Sequence, residues 1–112
     1  MPDLTEQQIA ILHRLRERGF EIVAFPMFAN YIGVRRRDCA ALLAPLSSGA
    51  LQIFGEPSYL ISQNLTVRVA QAGKQWFVWK KQKLEATPAR LEELRQFTAD
   101  LTESLLLAQP FS

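Results

Sequence analysis

The apolar positions of this chain change their spacing twice, once near residue 20 and again near residue 87. Over the first stretch Ile9, Leu12 and Leu15, with Ile11 beside them, recur at helical intervals and predict one buried stripe. Thr5 and Gln8 have the capping-box spacing, and Leu4 and Ile9 occupy the two positions of a hydrophobic staple. Gly19 supplies the left-handed residue that closes a helix. Phe20 stands where a Schellman motif places an apolar contact with Leu15. A second helical pattern starts at Thr87-Pro88, an N-cap followed by a proline whose missing N–H is no loss at the first helical position. Leu91, Leu94, Phe97, Leu101 and Leu105 then repeat every three or four residues, and Pro110 is the expected stop.

Between the helices the period is that of strands. FEIVAF (20–25) and NYIGV (30–34) are aromatic and β-branched, and Pro26 separates them, which predicts a hairpin or a kinked pair. ALQIF (50–54) follows the loop PLSSG and stops at Gly55, and SYLI (58–61) follows Pro57. LTVRVA (65–70) alternates, with Leu65, Val67 and Val69 on one face and Thr66 and Arg68 on the other. Gln71-Ala72-Gly73 makes a turn and QWFVWKKQKL returns, so residues 65–84 form a hairpin. DCAALLA (38–44) reads as a helical turn or two between Asp38 and Pro45, because paired alanines favour helix. The expected fold is α+β: one domain over residues 1–112, an antiparallel sheet of about five strands, and N- and C-terminal amphipathic helices packed on one face with the other face open.

Composition narrows the class. Apolar residues are 48% and charged residues 21%, as in ordinary globular domains. No apolar run approaches a membrane span, and MPDLTEQQ lacks the basic region and apolar core of a secretory signal. One cysteine forms no internal disulfide, which suits the cytoplasm. Net charge is only +2, but it is unevenly spread. Residues 22–84 sum to +6, residues 1–21 to −1 and residues 85–112 to −3, and no acid lies between Glu56 and Glu85.

Candidate chemistry is sparse. The single histidine, His13, sits in the first helix with no signalled partner, and one His with one Cys does not make a zinc site. No glycine-rich phosphate loop and no nucleophile elbow occurs, so neither an enzyme nor a cofactor or metal site is expected. Cys39 follows Arg35, Arg36 and Arg37, whose charge would favour a thiolate, but it opens an apolar segment and reads as a small buried hydrophobe. The arginine triplet reads as a strand end emerging into solvent.

The stretch KQWFVWKKQK (74–83) is the most informative. In a strand, Trp76 and Val78 share one face and Phe77 and Trp79 the other, so both faces are apolar until Lys80. That describes a central strand whose far end leaves the sheet through KKQK. One tryptophan must then face away from the helices, and exposed apolar patches mark interfaces. The expected function is therefore a non-enzymatic module that binds another protein or itself, with homodimerisation one way to cover the face. Trp76 or Trp79 would be the anchor, with Arg68, Arg35, Arg36 and Arg37 at the rim. The alternative is nucleic acid or another polyanion bound by the basic segment 35–83 through Lys80, Lys81 and Lys83. A third reading is a small apolar ligand enclosed between the sheet and the long C-terminal helix.

Overall fold

The computed structural model describes residues 2–109. Within them the chain forms α1 (Glu6–Glu17), β1 (Glu21–Val23), a 3-10 turn (Pro26–Phe28), β2 (Ile32–Arg36), β3 (Cys39–Pro45), β4 (Leu51–Ile61), β5 (Asn64–Leu65), β6 (Val67–Gln71), β7 (Lys74–Trp79), β8 (Gln82–Glu85) and α2 (Pro88–Ala108). Two antiparallel meanders result: a five-stranded sheet in the order β1-β2-β3-β4-β5 and a three-stranded sheet β6-β7-β8. The α+β class and the terminal helices are as expected, but the strands divide into two sheets rather than one. Pro110 lies outside the described residues.

Both helices start as their sequences dictate. The Thr5 hydroxyl accepts from the Gln8 amide, and the Gln8 side chain accepts from the Thr5 amide, at 3.1 and 3.0 Å. At the other end of α1 the Gly19 amide donates to Arg16 and the Phe20 amide to Leu15, the paired bonds of a Schellman motif, with Gly19 at φ 95°. The buried stripe is Gln8, Ile11, Leu12 and Leu15, whereas Ile9 is exposed. The stripe is thus rotated from the expected one. Gln8 takes the vacated place because its amide donates to the Leu46 and Ala50 carbonyls of the β3–β4 loop. In α2 the Thr87 hydroxyl accepts from the Arg90 amide, and Leu94, Phe97, Leu101 and Leu105 are buried.

The helices cover one face of the five-stranded sheet. On that face Ile32 and Val34 of β2, Cys39, Ala41 and Leu43 of β3, and Leu51 and Tyr59 of β4 join Leu15, Phe97 and Leu101 in the main core. Cys39–Pro45 is a strand, not the expected helix. Its small residues are why: Cys39 and Ala41 lie under the helix layer while Ala40 and Leu42 fill a second cluster on the opposite face. A strand buried on both faces loses its alternation, and packing overrides the helix preference of alanine.

That second cluster is also a departure from the expectation of an open sheet. Phe25, Ala40, Leu42 and Leu60 are buried there, with Phe28, Tyr31 and Leu65 packed around them. The connection between β1 and β2 folds over this face. Gly33 makes the approach possible: a Cβ there would lie 2.6 Å from the Phe25 ring and 2.6 Å from the Val23 carbonyl oxygen.

β4 is one strand of eleven residues where two were expected. Leu42 pairs with Phe54 and Ala40 with Ser58, so Gly55, Glu56 and Pro57 face the single residue Ala41. This bulge keeps the strand in register while absorbing the glycine at φ 70° and the proline, which cannot donate to a ladder.

A candidate docking surface

The three-stranded sheet is built by two tight turns. Gln71 pairs with Lys74 across Ala72 and Gly73, both at positive φ (54° and 75°), the combination of a type I′ turn. Trp79 pairs with Gln82 across Lys80 and Lys81, with Lys80 at φ 54°. KKQK therefore does not leave the sheet. It turns, and QKLE returns as β8 beside β7, which is the central strand of its sheet.

Parity then decides what faces where. Phe77 is fully buried, stacked 5.4 Å from the Tyr59 ring, and Leu84 joins the same core. Arg68 is opposite Phe77 and shares that inner face. Val67 is opposite Val78 and Val69 opposite Trp76, and these four share the outer face with Lys74 and Lys83. All five residues of β6 are exposed; Val67 keeps 67% of its surface. Trp76 is the tryptophan on the outer face, and the Lys83 ammonium sits 4.8 Å from its ring centroid. Trp79, at the strand end, carries Lys80 4.7 Å from its own ring centroid. Cations over indole faces at this distance are favourable contacts.

The outer edge of β6 pairs with no strand among the described residues. In a two-residue hairpin the pair flanking the turn exchanges both hydrogen bonds, and hydrogen-bonded and non-bonded pairs then alternate. Val67, Val69 and Gln71 accordingly bond β7, and the amides and carbonyls of Arg68 and Ala70 point to the free edge. Thr66 fits this direction, since its amide donates to the Ser58 hydroxyl at 3.3 Å. From that tether β6 and the β4 bulge part around a groove of about 510 Å³, lined by Glu56, Arg68, Leu91, Leu94 and Arg95 among others. Arg68 reaches Glu56 across it at 3.9 Å.

The arginine triplet is dispersed rather than gathered at this surface. Arg36 turns to the helix layer, bonded to Asp100 at 2.8 Å with its guanidinium 4.9 Å from the Phe20 ring centroid. Arg35 bonds Glu21 and Gln63. Arg37 occupies the β2–β3 turn at φ 57° and is exposed.

Burial holds the Cys39 thiol and the Tyr59 phenol in their neutral forms. Cys39 is 1% exposed, and burial, together with the charges of Glu93 and Asp38 and against that of Arg36, pushes its thiol up to about 12. Burial likewise raises Tyr59 to about 12, aided by the hydrogen bond its hydroxyl donates to Glu93 at 3.1 Å. His13 is exposed on α1. Among the described residues no group of three or more His, Cys, Asp or Glu side chains is placed to hold a metal ion, and no helix is long and apolar enough to cross a membrane.

Sequence reasoning identified the two-faced strand but missed β8, because the turn at Lys80-Lys81 has no glycine or asparagine to mark it, and it missed the free edge of β6 because it expected one sheet. Comparison of the chain with protein-family models, curated proteins and solved structures gave no match.

Proposed function

We propose that the protein is a non-enzymatic binding module that docks an extended, acidic segment of another protein along β6. The observation that carries this reading is the free edge of β6, whose Arg68 and Ala70 backbone groups lie beside an outer face of Val67, Val69, Trp76 and Val78. Strand addition uses this combination: main-chain hydrogen bonds along the edge, and alternate side chains seated on an apolar face. Charge selects the partner. The sheet carries Arg68, Lys74, Lys80, Lys81 and Lys83 against Glu85, a net +4. Carboxylates on the incoming segment would relieve that field and take over Arg68, whose present contact with Glu56 is loose.

A second copy of the chain is the weaker occupant. Antiparallel self-pairing centred on Val69 sets Arg68 against Ala70 of the copy, which is sterically reasonable, but it brings two +4 sheets together. Polyanion binding has one specific observation in its favour: Lys80 and Lys83 each lie over an indole, which resembles a stacking platform. The cytoplasm, where a lone thiol stays reduced, is the compartment that suits such a module.

The test is a titration followed by the fluorescence of Trp76 and Trp79, the two tryptophans of the chain. A peptide alternating Glu and Val should shift the emission and saturate, whereas one alternating Lys and Val should not. Single-stranded DNA producing the larger, steeply salt-dependent response would transfer the assignment to polyanions. A blue shift that grows with protein concentration alone would transfer it to self-association.

A further inference from the structure

A second concavity lies in the seam between the two sheets, on the side away from the helices. It measures about 310 Å³ and is walled by Phe25, Phe28, Leu65, Val67, Val78 and Trp79. Four segments build it: the 3-10 turn, β5, the start of β6 and the end of β7. Each is held locally. The Phe25 ring rests on β2 where Gly33 leaves room, and Pro26 opens the 3-10 turn. Leu65 packs against the second core cluster. The pocket is therefore set by the fold rather than by a loop free to collapse into it. Met27, 81% exposed, stands at its margin, and a methionine is a side chain able to fold over varied apolar guests.

Its polar equipment is asymmetric. Asn64 and Lys80 are the two residues with polar side chains among those lining it, and no carboxylate is among them. Lys80 makes no ion pair among the described residues, and its ammonium is held near the Trp79 ring, directly beside the apolar wall. The left-handed conformation of Lys80, unfavourable for a residue with a Cβ, fixes the turn that puts it there. An apolar pocket with a few convergent polar groups is the usual form of a small-molecule site.

We infer that this seam pocket binds a single-chain anionic amphiphile of the fatty-acid class, with the alkyl chain between Phe25, Leu65 and Val78 and the carboxylate on Lys80. Charge complementarity is the argument for the head group: Lys80 is the one charged residue lining the pocket, so a neutral amphiphile leaves its ammonium unused and a cationic one is repelled by it. The inference goes beyond strand docking: the two sites share Val67 and Val78, but docking runs along the Arg68 and Ala70 edge of β6, whereas the pocket opens between the 3-10 turn and Lys80.

The experiment uses the full chain carrying Trp76→Phe, so that Trp79 is the reporter, titrated with laurate below its micellar concentration. Laurate should shift the emission and saturate at one molecule per chain. Dodecylamine, with the same chain and opposite charge, should bind at least tenfold more weakly. Each methylene removed from the carboxylate should weaken binding roughly threefold to fourfold. Lys80→Asn, which keeps a residue tolerant of positive φ, should weaken laurate roughly threefold to tenfold, whereas Lys83→Asn should leave it unchanged. Equal binding of laurate and dodecylamine, equal effects of the two lysine substitutions, or the absence of a saturable response would overturn the assignment. Retained response to the Glu/Val peptide in those cases would keep the docking reading separate from this failure.

Discussion

The two sheets of this protein are both antiparallel meanders, yet they differ in what lies over them. The five-stranded sheet has α1 and α2 on one face and the Phe25–Tyr31 connection on the other, so its central strand β3 is apolar on both sides. The three-stranded sheet sends Phe77 and Leu84 into the same core but leaves Val67, Val69 and Trp76 on a face with no comparable cover. Hydrophobic residues in strands thus serve two ends here. In β3 they are held inside and contribute stability; in β6 they contribute little to stability and remain available. The difference separates what the fold needs from what a partner can use.

Substitutions should divide along that line. Phe77→Ala removes a fully buried ring stacked on Tyr59 and should cost about 3–5 kcal/mol in chemical denaturation. Val67→Ala, an equally apolar strand position in the same sheet, should change stability by less than about 0.5 kcal/mol. Comparable losses at the two sites would abolish the distinction.

Alkaline pH probes the closed sheet from within. Cys39 holds its proton up to about 12 in the fold, against 9.0 in the unfolded chain, and Tyr59 up to about 12 against 10.0. The unfolded chain therefore binds fewer protons between these values, and stability falls as pH rises. The Cys39 contribution is intact below pH 9 and the Tyr59 contribution below pH 10, and above those values each group removes ~1.4 kcal/mol per pH unit until its folded pKa is reached. Urea midpoints measured from pH 7 to pH 11 should show this decline, and Cys39→Ala should make it shallower by about one proton. In the same state native Cys39 should resist iodoacetamide over hours, since the thiol is both buried and protonated.

Smaller effects test the seam and the turns. Gly33→Ala forces a methyl group into the Phe25 ring and the Val23 carbonyl and should cost about 1–3 kcal/mol. It should also weaken laurate binding, because Phe25 is a wall of the pocket. Ala72→Asn places a residue tolerant of left-handed backbone at φ 54° and should raise stability by roughly 0.5 kcal/mol without altering any binding.

Much of this was legible in the chain. The helix boundaries at Thr5, Gly19 and Thr87 follow from local capping chemistry, which needs no tertiary information. The Val67–Val78 hairpin was marked by strict alternation and a glycine turn. The misread segments share one physical cause: contacts distant in sequence outweighed local preference. Ala40 and Ala41 were drawn into a strand by cover on both faces, Ile9 yielded its buried place to Gln8 through the Leu46 and Ala50 carbonyls, and Gly55-Pro57 became a bulge because Ala40 and Ser58 still pair. The candidate surface was half legible. Both tryptophans were singled out; parity from the buried Phe77 puts Trp76 on the outer face, and Trp79 at the strand end lines the seam pocket. Arg36 could not be removed from the rim by sequence alone, since its partners Phe20, Phe97 and Asp100 are scattered along the chain.

The central claim is that the free edge of β6 is the docking element, and Ala70→Pro tests it most directly. The Ala70 amide points away from β7, so proline there removes a donor from the edge while the β6–β7 ladder keeps its bonds. Amide-resolved NMR of wild type and variant, each titrated with the Glu/Val peptide, is the measurement. Wild type should show its largest shifts at Arg68, Ala70 and Trp76, and the variant should keep the wild-type fold yet lose those shifts. An unchanged titration in the folded variant, or wild-type shifts centred on the helices, would contradict the account.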